Sequence, residues 1–454
     1  MSTHQFTTRT AIAIVVANMI GTGVFTSLGF QLVDIQSTFV LMMLWLVGGV
    51  TALCGALTYA ELGSSLPRSG GEYNFLSEIY HPAAGFISGW ISATVGFAAP
   101  TALAAMTFGA YLEASISGLS ATVMASLLVI TLTLVHAFSH AASGGVQSVF
   151  TVLKVLLIIL FVGLVAFSVE NPQPVTLLPA AGDGTLLISS AFAISLIYVN
   201  YAYTGWNAAT YIINEVEEPQ RSMPVILFTG TATVLVLYLL LNYTFLYAAP
   251  MAEMTGKIEI GVIVAQFAFG ETGGMIMGIV LATLLISTVS AMVIAGPRVL
   301  QVIGEDFTLF RLLSRKNANQ IPMIAIMTQS AVTLCFILTS TFESVLVFSG
   351  FVMGVNTFFA VAGVFLLRRR LAASELEETE KSSYRTSYRT SYRTWGYPVT
   401  PLIYLGLMAW TLIYILINRP EEGWAGLGMI VAGGLLYLLS EKLGKAKADG
   451  SGLG

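Results

Sequence analysis

Two short stretches place glycine beside hydroxyl and aromatic residues in the middle of long apolar runs. Asn18-Met-Ile-Gly-Thr-Gly-Val-Phe25 lies inside the run Ala11 to Val33, and Tyr201-Ala-Tyr-Thr-Gly-Trp-Asn207 inside Leu186 to Asn214. Each glycine costs about 1 kcal/mol against alanine in a helix interior. In lipid the penalty grows, because freed backbone groups find no water. A break there is tolerated where it lines a cavity or binds something. Its chemistry is that of bare backbone. A half-helix N-terminus offers unpaired N–H groups and a positive dipole end to an anion, and unwound carbonyls offer acceptors to a cation. Two interrupted helices at corresponding places in two halves point to a transporter's substrate site. Helix packing through small residues is the competing explanation, and one Gly-Thr-Gly alone does not separate the two.

The elements that must position these stretches are membrane spans. Of 454 residues, 56% are hydrophobic and 10% charged, with mean hydropathy +0.81. Soluble domains carry about 25% charged residues, so a polytopic membrane protein is expected. Spans of about 20 apolar residues fall near 10–33, 38–65, 82–110, 119–139, 144–168, 187–213, 223–248, 272–297, 322–341, 343–367, 398–417 and 423–440. With the N-terminus inside, seventeen of the twenty Lys and Arg residues fall on the inner side, and only Lys257 and Arg419 outside. That bias predicts cytoplasmic N- and C-termini in a multi-pass protein of the plasma (inner) membrane. No cleavable leader is read in the polar Met1–Arg9 stretch.

Spans 1–5 and 6–10 both open on a broken helix, and an odd number of spans reverses the second set. The expected organisation is therefore an inverted repeat. It comprises a cytoplasmic N-terminus 1–9, a first five-helix repeat 10–168, a second 187–367, a cytoplasmic loop 368–397, two further spans 398–440 and a tail 441–454. The stretch Tyr73 to Tyr80 is expected to lie along the inner surface, and the outer loop Ala249 to Thr272 to fold into short helices. Tyr-Arg-Thr occurs at 384–386, 388–390 and 392–394, a repeat to which no chemistry is assigned. The end, 448–454, reads as a flexible tail. Cys54 and Cys335 both lie in apolar runs without metal-type spacing and read as packing residues.

Six segments together resemble the amino acid–polyamine–organocation (APC) transporter superfamily over essentially the whole chain. They are Ile20-Gly-Thr-Gly-Val-Phe25, Pro67-Arg-Ser-Gly-Gly-Glu-Tyr73, Tyr203-Thr-Gly-Trp-Asn207, Asn214-Glu-Val-Glu-Glu-Pro-Gln-Arg-Ser-Met-Pro224, Gly296-Pro-Arg298 and Tyr392-Arg-Thr-Trp-Gly-Tyr-Pro398. Within the superfamily the chain is most similar to the L-amino-acid transporter branch and its bacterial relatives. The resemblance implies an all-α leucine-transporter-type fold of 12 transmembrane helices, with a 5+5 inverted repeat, broken helices 1 and 6, and alternating access.

An amino acid zwitterion suits the two breaks. The N–H groups of Thr22, Gly23 and Val24, with the Thr22 hydroxyl, are expected to hold the carboxylate, and the carbonyls of Ile20, Tyr201 and Thr204 the ammonium. No charged side chain lies in either stretch, which favours neutral amino acids. The resemblance places an aromatic gate at Tyr201; Trp206 is the second gating candidate, while Tyr203 and Trp206 read equally well as core. Asn207 reads as a cap of the second half-helix or as a substrate contact. Lys154 is the one charge deep inside a span, at an insertion cost of about 2.5–3.5 kcal/mol. In the family a Lys here stands where sodium-coupled relatives hold sodium. Its ammonium is expected to join the first break near Gly21 to Ser287, Thr288 or Ser290 of span 8, which implies sodium independence.

Glu61 and Glu215 are candidates to pair with Arg68, Arg221 or Arg298 at the inner face, or to be plain surface charges; His136 and His140 read as interface histidines. Gly96, Ala98 and Ala99 suggest either space or packing in span 3. The reading is a sodium-independent transporter of neutral L-amino acids working by exchange, with a proton-coupled symporter of broader range as the alternative. A channel lacks a selectivity motif here, and a non-transporting receptor is separable only by flux. No nucleophile–base arrangement, nucleotide loop or metal cluster argues for an enzyme or a cofactor. Expected partners are an amino acid and the bilayer, with no nucleic acid. The loop Tyr111 to Ser120 has no cysteine, so no disulfide-linked subunit is expected.

Overall fold

A computed structural model describes residues 6–138, 144–307, 310–317, 321–376 and 392–450. His140, the Tyr-Arg-Thr copies at 384–386 and 388–390, and residues 451–454 of the tail lie outside the described residues. Among the described residues the chain's regular structure is helical, apart from an isolated bridge between Phe6 and Val216. Its helices are α1 (Thr8–Met19), α2 (Gly23–Asp34), α3 (Thr38–Ser65), α4 (Glu72–Ile79), α5 (Pro82–Ile91), α6 (Ala98–Ser115), α7 (Ala121–Phe138), α8 (Gly144–Ser168), α9 (Asp183–Leu187), α10 (Ser190–Tyr203), α11 (Pro219–Ala248), α12 (Met251–Met254), α13 (Ile260–Asp306), α14 (Met323–Thr339), α15 (Phe342–Leu376), α16 (Val399–Asn418) and α17 (Pro420–Gly450). A π-helical turn, Ser92–Gly96, joins α5 to α6, and a 3₁₀ segment, Ala208–Glu215, follows α10. Among the described residues nine helical stretches are long and apolar enough to cross a membrane, and Val152–Ser168 and Met323–Thr339 are shorter apolar helices. This is an all-α multi-pass membrane protein.

Local sequence sets the helix starts. Ser37 accepts the Val40 N–H at 3.3 Å to cap α3, and Ser189 accepts the Phe192 N–H at 3.2 Å to cap α10. His81 Nδ1 caps α5 at 3.1 Å ahead of Pro82 at its first position. Helix α13 bends at Gly270, whose φ of 75° lies outside the helical range, so Ile260–Phe269 forms a short arm before the membrane-crossing length. With α12, that arm makes up the short helices expected between Ala249 and Thr272. Helix α15 continues to Leu376, so Arg368–Arg370 are helical rather than loop. The run Leu366-Leu-Arg-Arg-Arg-Leu-Ala-Ala373 consists of good helix formers, and loss of apolar character there marks the membrane surface, not the helix end.

Glu61, at the end of α3, is fully buried. It does not pair with Arg68, Arg221 or Arg298. Arg368 of α15 donates to its two oxygens from Nε and Nη2 at 2.7 Å each, and the Thr394 backbone N–H and hydroxyl donate at 2.7 and 2.6 Å. The Arg368 guanidinium also stacks 3.6 Å from the centre of the Tyr397 ring. The third Tyr-Arg-Thr copy thus supplies a ligand to a buried carboxylate. Arg221 instead pairs with its helix neighbour Glu218 at 3.4 Å, both well exposed, and the Glu215 carbonyl accepts the Phe6 N–H. That contact, with the Glu217 N–H donating to the Phe6 carbonyl at 3.1 Å, ties the segment before α1 to the chain after the second break.

Stranding a buried carboxylate costs about 3–5 kcal/mol. Arg368→Ala should therefore lower the thermal unfolding temperature in detergent markedly. The double variant Glu61→Leu/Arg368→Leu should recover much of the loss, because a buried pair is weakly stabilising against apolar replacement.

Candidate substrate site

Both expected breaks are present. Helix α1 ends at Met19, Ile20 leaves the helical range (φ −75°, ψ 86°), and α2 begins at Gly23. Thr22 is the N-cap residue of α2 but its side chain makes no capping bond. The first N–H groups of α2, those of Gly23 and Val24, have no acceptor within their own helix. Helix α10 ends at Tyr203; Thr204 is extended (φ −53°, ψ 140°) and Gly205 takes φ 108°. The Tyr201 carbonyl already accepts the Thr204 N–H at 3.0 Å.

The breaks face each other at backbone distance. A Cβ on Gly23 would sit 2.6 Å from Ala202 Cα, and one on Gly205 would sit 2.8 Å from the Asn18 carbonyl. Packing therefore explains those two glycines. It does not explain Gly21, whose Cβ would meet nothing closer than 4.0 Å. One hydroxyl serves both first half-helices: Tyr238 of α11 lies 2.6 Å from the Met19 carbonyl and 3.1 Å from that of Ala202. Its ring meets Trp45 edge-on at 5.7 Å, and Tyr203 donates to the Trp45 carbonyl at 3.2 Å. Tyr203 is a core residue with no side-chain exposure.

A cavity of about 840 Å³ opens beside the breaks and reaches Arg9 and Thr10 at the start of α1. It brings together Ile20, Thr22, Gly23, Tyr201 and Thr204; Val24 is fully buried and outside its wall. Tyr201 and Thr22 line the same cavity, so the aromatic of one break and the hydroxyl of the other share its wall. Trp206 also lines the cavity, with its ring held edge-on 4.6 Å from Tyr59 and against Gly55. Gly96 reaches the wall, whereas Ala98 and Ala99 are packed away. At the end away from Arg9 the helices are fastened. There Tyr198 donates to Glu343 at 2.6 Å, Arg419 pairs with the same carboxylate, and Phe30 stacks on Phe342 at 5.6 Å.

Lys154 of α8 donates to the Thr288 hydroxyl of α13 at 2.7 Å. Ser287 turns back to the Leu284 carbonyl, and Ser290 is taken by His136 at 2.8 Å. His136 is buried between helices instead of lying at the interface. On the break side Lys154 shares a void of about 20 Å³ with Ile20, Gly21 and Thr22, without a hydrogen bond to them.

Sequence reasoning missed Glu72. It is almost fully buried at the start of α4 and lines the cavity. Tyr59 donates to Oε1 at 2.9 Å, Asn207 Nδ2 to Oε1 at 2.5 Å and Tyr211 to Oε2 at 2.5 Å. Asn207 therefore makes no helix cap; its amide is drawn off to Glu72. Gly71, at φ 54°, has the Tyr211 ring where a Cβ would lie, 2.6 Å away. The adjacent glycines Gly70 and Gly71 before Glu72 were the available signal. They allow a turn, at φ 124° and 54°, that carries the carboxylate inward instead of along a surface.

Removing the Tyr238 hydroxyl takes a donor from the Ala202 carbonyl and leaves the Met19 carbonyl only the Gly21 N–H at 2.8 Å, at about 1–3 kcal/mol for a buried polar group. Tyr238→Phe should lower thermal stability by that order and slow substrate flux, with the Trp45 packing retained.

A profile of the amino acid permease family matches residues 6–438. Among curated proteins, the large neutral amino acids transporter small subunit 2 of Rattus norvegicus is 26% identical over 445 residues, covering 94% of this chain and 79% of that protein. The b(0,+)-type amino acid transporter 1 of Mus musculus is 26% identical over 372 residues, covering 79% and 74%. The human cystine/glutamate transporter is 24% identical over 366 residues, covering 79% and 72%. These relatives are transporters, not enzymes, and the chain belongs with them to the amino acid permease family of the APC superfamily, on its L-amino-acid branch.

Proposed function

We propose that this permease carries neutral L-amino acids by alternating access, without sodium and by exchange. The observation that carries the reading is the pair of unwound segments meeting at one end of a single cavity. In this reading the Thr22 and Gly23 N–H groups, which reach the cavity as Val24 does not, take the substrate carboxylate, and the Ile20, Tyr201 and Thr204 carbonyls the ammonium. Tyr201 and Trp206 form the gate. The charge inventory supports neutral substrates. Of the charged residues lining the cavity, Glu72 already accepts three donors, Lys154 is bonded to Thr288, and Arg9 sits at the far mouth. The relatives include transporters named for large neutral amino acids.

Twelve spans follow if the nine long helices are joined by Val152–Ser168, Met323–Thr339 and the broken pair of α10 and its 3₁₀ continuation. Residues 10–168 and 187–367 are then inverted repeats, with 398–440 appended. Both termini are cytoplasmic in the plasma (inner) membrane, and no disulfide-linked subunit is required. The cavity then opens inward past Arg9, while the Tyr198–Glu343–Arg419 cluster closes the outer side.

Lys154 supports sodium independence because its ammonium occupies the space between the first break and α13 that a cation would need. A proton-coupled symporter is the second reading. It is favoured by the same residue, a cavity-lining amine whose one hydrogen bond among the described residues is to a neutral hydroxyl.

Radiolabelled alanine and leucine uptake into proteoliposomes tests both. Exchange predicts uptake that needs internal amino acid, is unchanged on sodium removal and falls at least about tenfold in Lys154→Ala, whose loss removes the ammonium that Thr288 holds beside the first break. Uptake into empty vesicles that follows an inward proton gradient would instead establish the symporter. Absence of saturable uptake by folded protein would overturn the substrate assignment.

A further inference from the structure

Asn200 precedes Tyr201 on α10 and lines the cavity. Among the described residues it is the one cavity-lining side chain with a buried polar atom lacking a hydrogen-bond partner, its Nδ2. Native proteins rarely leave a buried amide unpaired, and each instance calls for a cause. Among the described residues no acceptor lies within hydrogen-bond reach of that amide; Thr204 donates its own hydroxyl to the Asn200 backbone carbonyl at 3.2 Å.

The wall opposite has room. Residues 197, 200 and 201 share one face of α10 at helical spacing, and 350, 353, 354 and 357 of α15 line the same cavity. The two helices touch at Gly350, where a Cβ would lie 2.8 Å from Ile197 Cγ1. Asn200, one residue along the chain from the second break, and Gly350, Met353 and Gly354 of α15 line the same part of the cavity, a recess between α10 and α15.

We propose that Asn200 reads the substrate side chain and selects neutral amino acids carrying a hydroxyl or carboxamide. The inference rests on the neutral-amino-acid reading above and deepens it. The NH₂ group is buried as the chain stands; a terminal amide torsion is broad, so rotation about that bond alone would bring it to a side chain in the recess. An amide both donates and accepts, which matches a hydroxyl or another carboxamide and leaves an aliphatic side chain unmatched. A site with a hydrogen-bonding group rejects the apolar isostere because its own polar atom is then left unpaired.

The test uses near-isosteric pairs in alanine-loaded proteoliposomes: threonine against valine and asparagine against leucine. The parent protein should favour the polar member of each pair by about tenfold in kcat/KM. Asn200→Leu should bring both ratios close to one, and Asn200→Thr, which keeps a hydrogen-bonding side chain, should retain a preference. Parent ratios near one, or equal loss of both members in Asn200→Leu with Asn200→Thr behaving the same way, would overturn the inference. Failure of the folded parent to transport any of the four would instead overturn the neutral-amino-acid reading, and this inference with it.

Discussion

Backbone polar groups inside a bilayer must be satisfied within the protein, and two helices here give up that satisfaction near the middle of the molecule. The structure compensates by bringing the two interruptions together. Gly23 lets α2 lie on the Ala202 backbone, and Gly205 lets the second break lie on Asn18. A single hydroxyl, Tyr238, then serves the carbonyl ends of both preceding half-helices. What remains unpaired faces the cavity, at the start of α2. In the function proposed above, a substrate that carries its own carboxylate and ammonium would complete the pairing, and the unpaired backbone would be the recognition element.

The rest of the polar interior fixes the frame around that meeting point. Glu72 gathers Tyr59 from α3 with Asn207 and Tyr211 from beyond the second break. Glu61 gathers Arg368 and Thr394, tying α3 to α15 and to the segment leading into α16. Both carboxylates are buried at the end of the molecule where the cavity opens. The opposite end is held by Glu343 with Tyr198 and Arg419, backed by Phe30 on Phe342. The alternating access proposed above would require exchanging which end is fastened. Helix α15 contributes to both ends, Arg368 to one and Glu343 to the other, and α10 and α15 both also line the cavity wall.

The breaks were legible in the chain because Gly-Thr-Gly and Thr-Gly-Trp violate a local rule, and local rules act over a few residues. Lys154 was legible for the same reason, as a charge where none belongs, and Thr288 was among its named candidate partners. The carboxylate clusters were not legible. Glu72 meets partners 135 and 139 residues away, and Glu61 meets Arg368 across 307. Periodicity carries no information about such pairings, so inner-end arginines nearer in sequence were the natural candidates for Glu61. His136 was misplaced by the assumption that a polar residue at a span end faces the interface; Ser290 draws it inward. Helix α15 outlasts its apolar run because hydropathy reports the bilayer, whereas propensity sets where a helix stops.

The central claim is that bare backbone at the two breaks recognises both charges of an amino acid. Competition against labelled alanine exchange tests it directly, using alanine, its methyl ester and lactate, which keep the same small side chain. The account predicts that alanine competes and that the ester, lacking the carboxylate, and lactate, lacking the ammonium, each lose at least about a hundredfold, the scale of an unmade charge-assisted hydrogen bond of about 3 kcal/mol. An ester or a hydroxy acid that competes as well as alanine would contradict it.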